Sequence, residues 1–214
     1  MEAITFLKEI MSIPSVNGRD DEGKVSEYLY AYLKSCGLRC ELDRIDSLHA
    51  NVVAWMDGTD TEHTVLWNGH VDTVPYGELK AWDSDPSVPT LKENMLYGRG
   101  ASDMKSGLAA MAWLLGEMKK QNKVPSCNIV FAATCDEECG GLGASVFLHK
   151  DILNHVDEIV VGEPTGKNLG IAQKGCLWLE INGKGKTSHG AYPEKGWNAI
   201  ASCMEIADAI RKRV

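Results

Sequence analysis

Short apolar runs alternate along this chain with stretches of helical period, and no other feature of the sequence constrains the fold as tightly. Cys127–Thr134 and Glu158–Val161 read as strands buried on both faces, with a helix at Gly143–His149 between them. Upstream, Leu38–Ile45, Asn51–Met56 and Thr64–Asn68 are strand candidates. Leu108, Met111, Ala112 and Leu115 put one apolar stripe on a helix over about Lys105–Lys120. Two helices open the chain. Glu2–Met11 carries Ile4, Leu7, Ile10 and Met11 on one face and stops near Pro14, and Glu22–Cys36 ends at Gly37. Strands joined through helices pair in parallel and need cover on both sheet faces. The expected fold is therefore α/β, a mostly parallel sheet sandwiched by helices.

From Gly170 the texture changes. Gly170–Lys174 and Leu177–Lys186 alternate apolar and polar residues as an antiparallel pair would. A glycine-rich stretch then leads to an amphipathic helix over about Trp197–Arg213, with Ile200, Met204, Ala207 and Ile210 on one side. One helix on two strands leaves a face uncovered, so this second unit reads as incomplete.

The acids and one histidine fall at the junctions. His70 and Asp72 follow the Thr64–Asn68 strand, Glu137 and Glu138 follow Cys127–Thr134, and Glu163 follows Glu158–Val161. Asp103 sits in a glycine-rich turn just before the long helix. In parallel α/β sheets ligands bind beyond the carboxyl ends of the strands, so these residues should converge. Two like charges 4 Å apart repel by about 4 kcal/mol at an effective dielectric of 20, so a convergence of five carboxylates calls for a cation. Carboxylate with imidazole suits zinc, cobalt or manganese. Taken singly, each element has an ordinary structural reading. Asp136-Glu137-Glu138 is a solvated turn, Asp103 a helix cap, Glu163 a strand end. All in order, each at a strand or helix junction, they favour a metal site.

Composition narrows the partners. The 214 residues carry a net charge of −8, and the one basic cluster is the short run Arg211-Lys212-Arg213, so nucleic acid is excluded as the expected ligand. Apolar runs such as Leu108–Leu115 are too short to span a bilayer, and the N-terminus lacks the basic-then-apolar pattern of an export signal. Seven scattered cysteines, with no pair of pairs at zinc-finger spacing, read as free thiols in a reducing cytoplasm. No serine lies in a nucleophile elbow and no cysteine beside a motif histidine, which disfavours a serine or cysteine hydrolase.

Four segments carry a family resemblance. Gly69-His70-Val71-Asp72-Thr73-Val74-Pro75, the run Tyr97–Lys105, Asp136-Glu137-Glu138 and Gly162-Glu163-Pro164-Thr165 resemble the co-catalytic metallopeptidases. That family includes acetylornithine deacetylase, succinyl-diaminopimelate desuccinylase, aminoacylase and carboxypeptidase G. The resemblance covers essentially the whole chain. It implies a zinc-peptidase-like catalytic domain over residues 1–169 and the start of a small α+β dimerisation or lid domain over 170–214. It implies two divalent metals, zinc with cobalt or manganese as alternatives. Asp103 would bridge them, His70 and Glu163 would complete one site, and Glu138 would belong to the other. Glu137 resembles the general base, and Asp72 would hold the His70 ring by its second nitrogen. His189, with Pro193, Gly196 and Asn198 after it, resembles a histidine that reaches across a homodimer to the partner's substrate. A cis peptide bond between Asp103 and Met104 is implied as well.

The expected reaction is cleavage of an amide bond in an N-acyl amino acid or small peptide by a metal-activated water. One departure stands out. The family's second metal takes a further histidine from late in a chain nearly twice this long, and His49, His63, His149 and His155 lie outside any motif. The sequence therefore reads as a C-terminally truncated member. The alternative is a catalytically weak metal-binding or interaction protein.

Overall fold

The computed structural model describes residues 2–213 and divides into two compact units, with the boundary between Asn168 and Leu169. In the first unit helices α1 (Ala3–Met11) and α2 (Gly23–Ser35) precede strands β1 (Arg39–Arg44), β2 (Ala50–Met56) and β3 (Asp60–His70). A small hairpin, β4 (Thr90–Lys92) and β5 (Met95–Tyr97), precedes helix α3 (Lys105–Lys120). Strand β6 (Cys127–Thr134), helix α4 (Leu142–Leu148) and strand β7 (Glu158–Val161) follow.

The sheet runs β1-β2-β6-β3-β7. Its pairing is mixed where a mostly parallel sheet was expected. β6, β3 and β7 are parallel, whereas β2 runs antiparallel to both β1 and β6. The reason lies in the connections. β1 and β2 are joined by five residues with no helix, which permits only an antiparallel neighbour, whereas β3 reaches β6 through α3. The parallel half is the one that matters for the acids.

Period-two alternation sends each strand's residues to two cores. Val52, Ala54, Phe131 and Ala133 pack under Phe6, Ile10, Leu29, Leu33, Leu108 and Leu115 of the first three helices. Val53, Leu66, Val130 and Ala132 face the other way, against Phe147 of α4 with Ile152, Leu153 and Val156 beside it. Each of the larger of these side chains, the alanines apart, contributes about 1.5–3 kcal/mol when fully buried. Helices thus cover both faces. β7 departs from its expected burial, because it is the sheet's edge and Ile159, Val160 and Val161 are each at least half exposed. The β4–β5 hairpin had no expectation behind it. Glu93 and Asn94 form its turn with φ of 51° and 61°, the left-handed pair that closes a two-residue hairpin.

In the second unit α5 (Ala199–Arg211) forms as expected, and Asn198 caps it by accepting from the N–H groups of Ile200 and Ala201. The expected strand pair does not form. Among the described residues, 170–185 make no ladder, and a single antiparallel bridge joins Lys186 to Trp197. Alternation decides which side chains share a face, but a strand needs a partner's N–H and C=O groups. Here Ile171, Leu177 and Trp178 stay 79–92% exposed. No helix among the described residues is long and apolar enough to cross a membrane, and all seven cysteines are free.

Candidate metal centre

Register brings the junction acids level. His70 pairs with Thr134 and Asn68 with Val161, so the chain leaves β3, β6 and β7 at one height. His70, the turn Asp136–Glu138 and Glu163 therefore emerge side by side. Asp103 arrives from the start of α3, where Met104 and Lys105 are buried on either side of the helix entry. Met104 packs its sulfur 3.2 Å from the His70 amide nitrogen, and Lys105 donates to the carbonyls of Ile10 and Ile13 at 3.2 and 2.8 Å. The Asp103–Met104 peptide bond is cis. Close approach needs small residues here, since a Cβ on Gly107 would lie 2.0 Å from the carbonyl oxygen of Gly162, the residue before Glu163.

The His70 ring is the centre of the cluster. Its Nε2 lies 3.2 Å from Asp103 Oδ1, 3.6 Å from Glu163 Oε1 and 3.9 Å from Glu137 Oε2. His70, Asp103 and Glu138 can each place one ligand atom within 4.8 Å of the other two. Five of the six residues expected to converge are thus brought together, with Asp72 behind the His70 ring. Among the described residues, the carboxylates of Glu137, Glu138 and Glu163 accept no hydrogen bond, and that of Asp103 meets only the His70 ring.

The electrostatics register this crowding. Burial pushes the Glu138 carboxyl up, and the charge of Asp103 pushes it further. Burial also raises Glu163, with His70 opposing and Asp103, Glu137 and Glu138 adding to the rise. Burial works against a charged His70, but the Asp72 carboxylate together with Glu163 and Glu137 outweighs it and lifts the ring to about 9. A donor set of one imidazole and four carboxylates, short of protein donors, fits a divalent cation.

Asp72 does more than was expected of it. The nearest acceptor to His70 Nδ1 is Asp72's own carbonyl, at 3.0 Å, with the carboxylate Oδ1 at 3.5 Å. The fully buried carboxylate also accepts the backbone N–H groups of Glu137, at 3.1 Å, and Glu138, at 3.0 Å. It thereby ties the strand that carries His70 to the turn that carries both glutamates. Asn17 and Glu22, which no motif marks, join this arrangement. Asn17 Nδ2 lies 3.1 Å from Asp72 Oδ2, 3.1 Å from Glu22 Oε1 and 3.0 Å from Asp136 Oδ1.

His189 belongs to the second unit. It is exposed, and its Nδ1 accepts the N–H of Ala191 at 3.1 Å, which leaves the proton on Nε2. A cleft of about 220 Å³, lined by residues including Trp55, Met56, Ile129 and Ile152, lies at the opposite ends of the strands from the acids and has no part in the cluster.

A family model described as peptidase family M20/M25/M40 matches residues 66–206. A probable succinyl-diaminopimelate desuccinylase from Staphylococcus aureus strain Mu50 is 32% identical over 212 residues, covering 99% of this chain and 52% of its own. The succinyl-diaminopimelate desuccinylase of Wolbachia pipientis subsp. Culex pipiens is 33% identical over 225 residues, covering 99% and 54%. The chain spans about half the length of these curated relatives. Among solved structures, an M20 family metallo-carboxypeptidase from Sulfolobus solfataricus aligns with a TM-score of 0.67 at 22% identity, over 76% of this chain and 37% of its own. A tripeptidase from Staphylococcus aureus aligns at 0.66 and 22%, over 96% and 55%. At such identities these two alignments speak to the fold.

Proposed function

This chain belongs to peptidase family M20/M25/M40, and from that membership we propose that it is the metal-binding part of a hydrolase that cleaves the amide bond of an N-acyl amino acid or small peptide. One observation carries the reading. Among the described residues, four carboxylates with no protein donor but His70 gather around a single imidazole at the carboxyl ends of parallel strands. Zinc is the proposed metal, with cobalt or manganese as alternatives. Asp103 would be shared by two cations, His70 and Glu163 would complete one site, and Glu138 would serve the other. Bound divalent metals of this kind lower the pKa of coordinated water from 15.7 toward 7 and polarise a carbonyl.

The remaining work falls to the chain's own groups. Glu137, its side chain 55% exposed and 3.9 Å from His70 Nε2, is the proposed general base. It takes the proton of the attacking water and passes it to the leaving nitrogen, a contribution of about 10²–10⁴-fold. His189 is proposed to act on the active site of a partner subunit in a homodimer. Its protonated Nε2 would donate to the carbonyl oxygen as charge develops there, and losing such a donor costs about 10²–10³-fold. Free cysteines agree with a reducing cytoplasm as the proposed compartment.

The relatives named as desuccinylases make an N-succinyl diamino acid the first substrate to test. The chain is incubated with that substrate and cobalt or zinc, and succinate release is followed. Release that depends on metal and disappears in Glu137→Gln, with metal content intact, supports the reading. Bound metal without release favours a metal-binding or interaction protein that has lost turnover. His189→Ala mixed with Glu137→Gln should regain activity when subunits exchange, because one hybrid site has both groups.

A further inference from the structure

Glu22 is fully buried, yet it does not serve the helix it precedes. At the N-terminus of α2 its side chain caps no backbone group of that helix. The carboxylate points elsewhere. Oε2 accepts the N–H of Asp136 at 2.9 Å, from a residue 114 positions later, and Oε1 accepts from Asn17 at 3.1 Å. The next two N–H groups of the same turn go to the two oxygens of Asp72. Three successive amides, of Asp136, Glu137 and Glu138, are thus held by two buried carboxylates, with the Asn17 amide between them.

The turn needs such acceptors. Asp136 has a φ of 61°, which swings the chain out of the β6 ladder and leaves these N–H groups without strand partners. Buried amides left unpaired are costly, and water or mobile acceptors would leave the two glutamates free to wander. Burial and the neighbouring charge of Asp72 push the Glu22 carboxyl up to about 7, against the opposing pull of the Asp136 amide and His49. His49 Nε2 approaches Glu22 at 3.8 Å while its Nδ1 is held by Asp46 at 2.9 Å. Glu22, His49 and Asp136 could also gather around a cation. However, both oxygens of Glu22 are already taken by donors within the chain, which makes this a scaffold and not a second metal centre.

We infer that Glu22 is a positioning residue which, with Asn17 and Asp72, fixes the Asp136–Glu138 turn and so aims Glu137 and Glu138 into the metal cluster. The fixing of the turn stands on this structure alone, and its consequence for metal rests on the function proposed above.

The test compares Glu22→Ala, Glu22→Gln and Ser26→Ala with the unaltered chain. Ser26 is buried one turn further along α2 and hydrogen-bonds the carbonyl of Ala50, away from the turn. Hydrogen exchange of peptides covering 135–139 and 129–133 is read first, and cobalt affinity second. Glu22→Ala should speed exchange at 136–138 by tenfold or more while 129–133 stays protected, and should weaken cobalt binding by tenfold or more. Ser26→Ala should do neither. Glu22→Gln keeps an acceptor for the Asp136 amide but turns an –NH₂ group toward Asn17, so it should give an intermediate effect, threefold or more in exchange. If Glu22→Ala does not fold, Glu22→Gln decides. Exchange at 136–138 within twofold of the unaltered chain, in whichever variant folds, overturns the inference. If the unaltered chain itself holds no cobalt, the proposed function has failed, while the exchange measurement still settles the role of Glu22.

Discussion

Two groups of acids, each with one histidine, lie on either side of the Asp136–Glu138 turn, and they behave in opposite ways. On one side Asp103, Glu137, Glu138 and Glu163 crowd His70, and their carboxylates accept nothing else among the described residues. On the other, Glu22 and Asp136 sit near His49, Asp72 is joined to Glu22 through Asn17, and the oxygens of all three meet Asn17 or backbone N–H groups. Residue types are the same; the supply of donors differs. A carboxylate whose lone pairs are met by N–H groups is part of the scaffold, whereas carboxylates left short of donors and pressed together need a cation.

The sharpest way to break this contrast is to remove each histidine in turn. His70→Ala takes the only nitrogen from the cluster as the first unit builds it, and cobalt affinity, followed by the visible spectrum, should fall by at least 100-fold. An affinity within threefold of the starting chain would mean that the carboxylates alone hold the metal. Asp72 touches both sides, so Asp72→Asn should cost about 10–100-fold in metal affinity, the usual range for a group supporting a ligand. That substitution should also speed amide exchange at Glu137 and Glu138. Loss of affinity without faster exchange would assign the whole effect to the His70 ring.

Protons separate the two sides next. Burial and then Asp72 raise the Glu22 carboxyl to about 7, so between pH 4.5 and 7 the folded chain holds a proton that the unfolded chain has released. Although burial opposes it, the surrounding carboxylates raise His70 to about 9, which extends the same imbalance from pH 6.5 to 9. With more protons on the folded state, stability falls as pH rises. Lys105, lowered to about 8 by burial against the pull of Asp20 and Asp72, works the other way above pH 8. The Tm of the metal-free chain should therefore fall by roughly 5 °C between pH 5 and 8 and flatten beyond. Saturating zinc should remove the His70 part by displacing its proton, and Glu22→Gln should remove the Glu22 part. A Tm that climbs steadily from pH 5 to 8 would contradict both assignments. The smallest effect is expected from His49→Ala, with cobalt affinity within twofold, since its ring faces the scaffold side.

Much of this molecule was legible in the residue pattern. Helical period located α1, α2, α3 and α5, and apolar runs located the five strands of the main sheet but not the β4–β5 hairpin, because burial on a face is a local property of spacing. The acids at the strand ends announced His70, Asp72, Asp103, Glu137, Glu138 and Glu163 as a group. Tertiary pairing alone decided that the sheet is mixed, that β7 is an exposed edge, and that 170–185 form no ladder, since a strand is defined by its neighbour. The same holds for Glu22. By sequence it is one more acid ahead of a helix, and only the fold sets it 2.9 Å from an amide 114 residues away, because hydrogen bonds across a core depend on where the backbone returns and leave no periodicity behind.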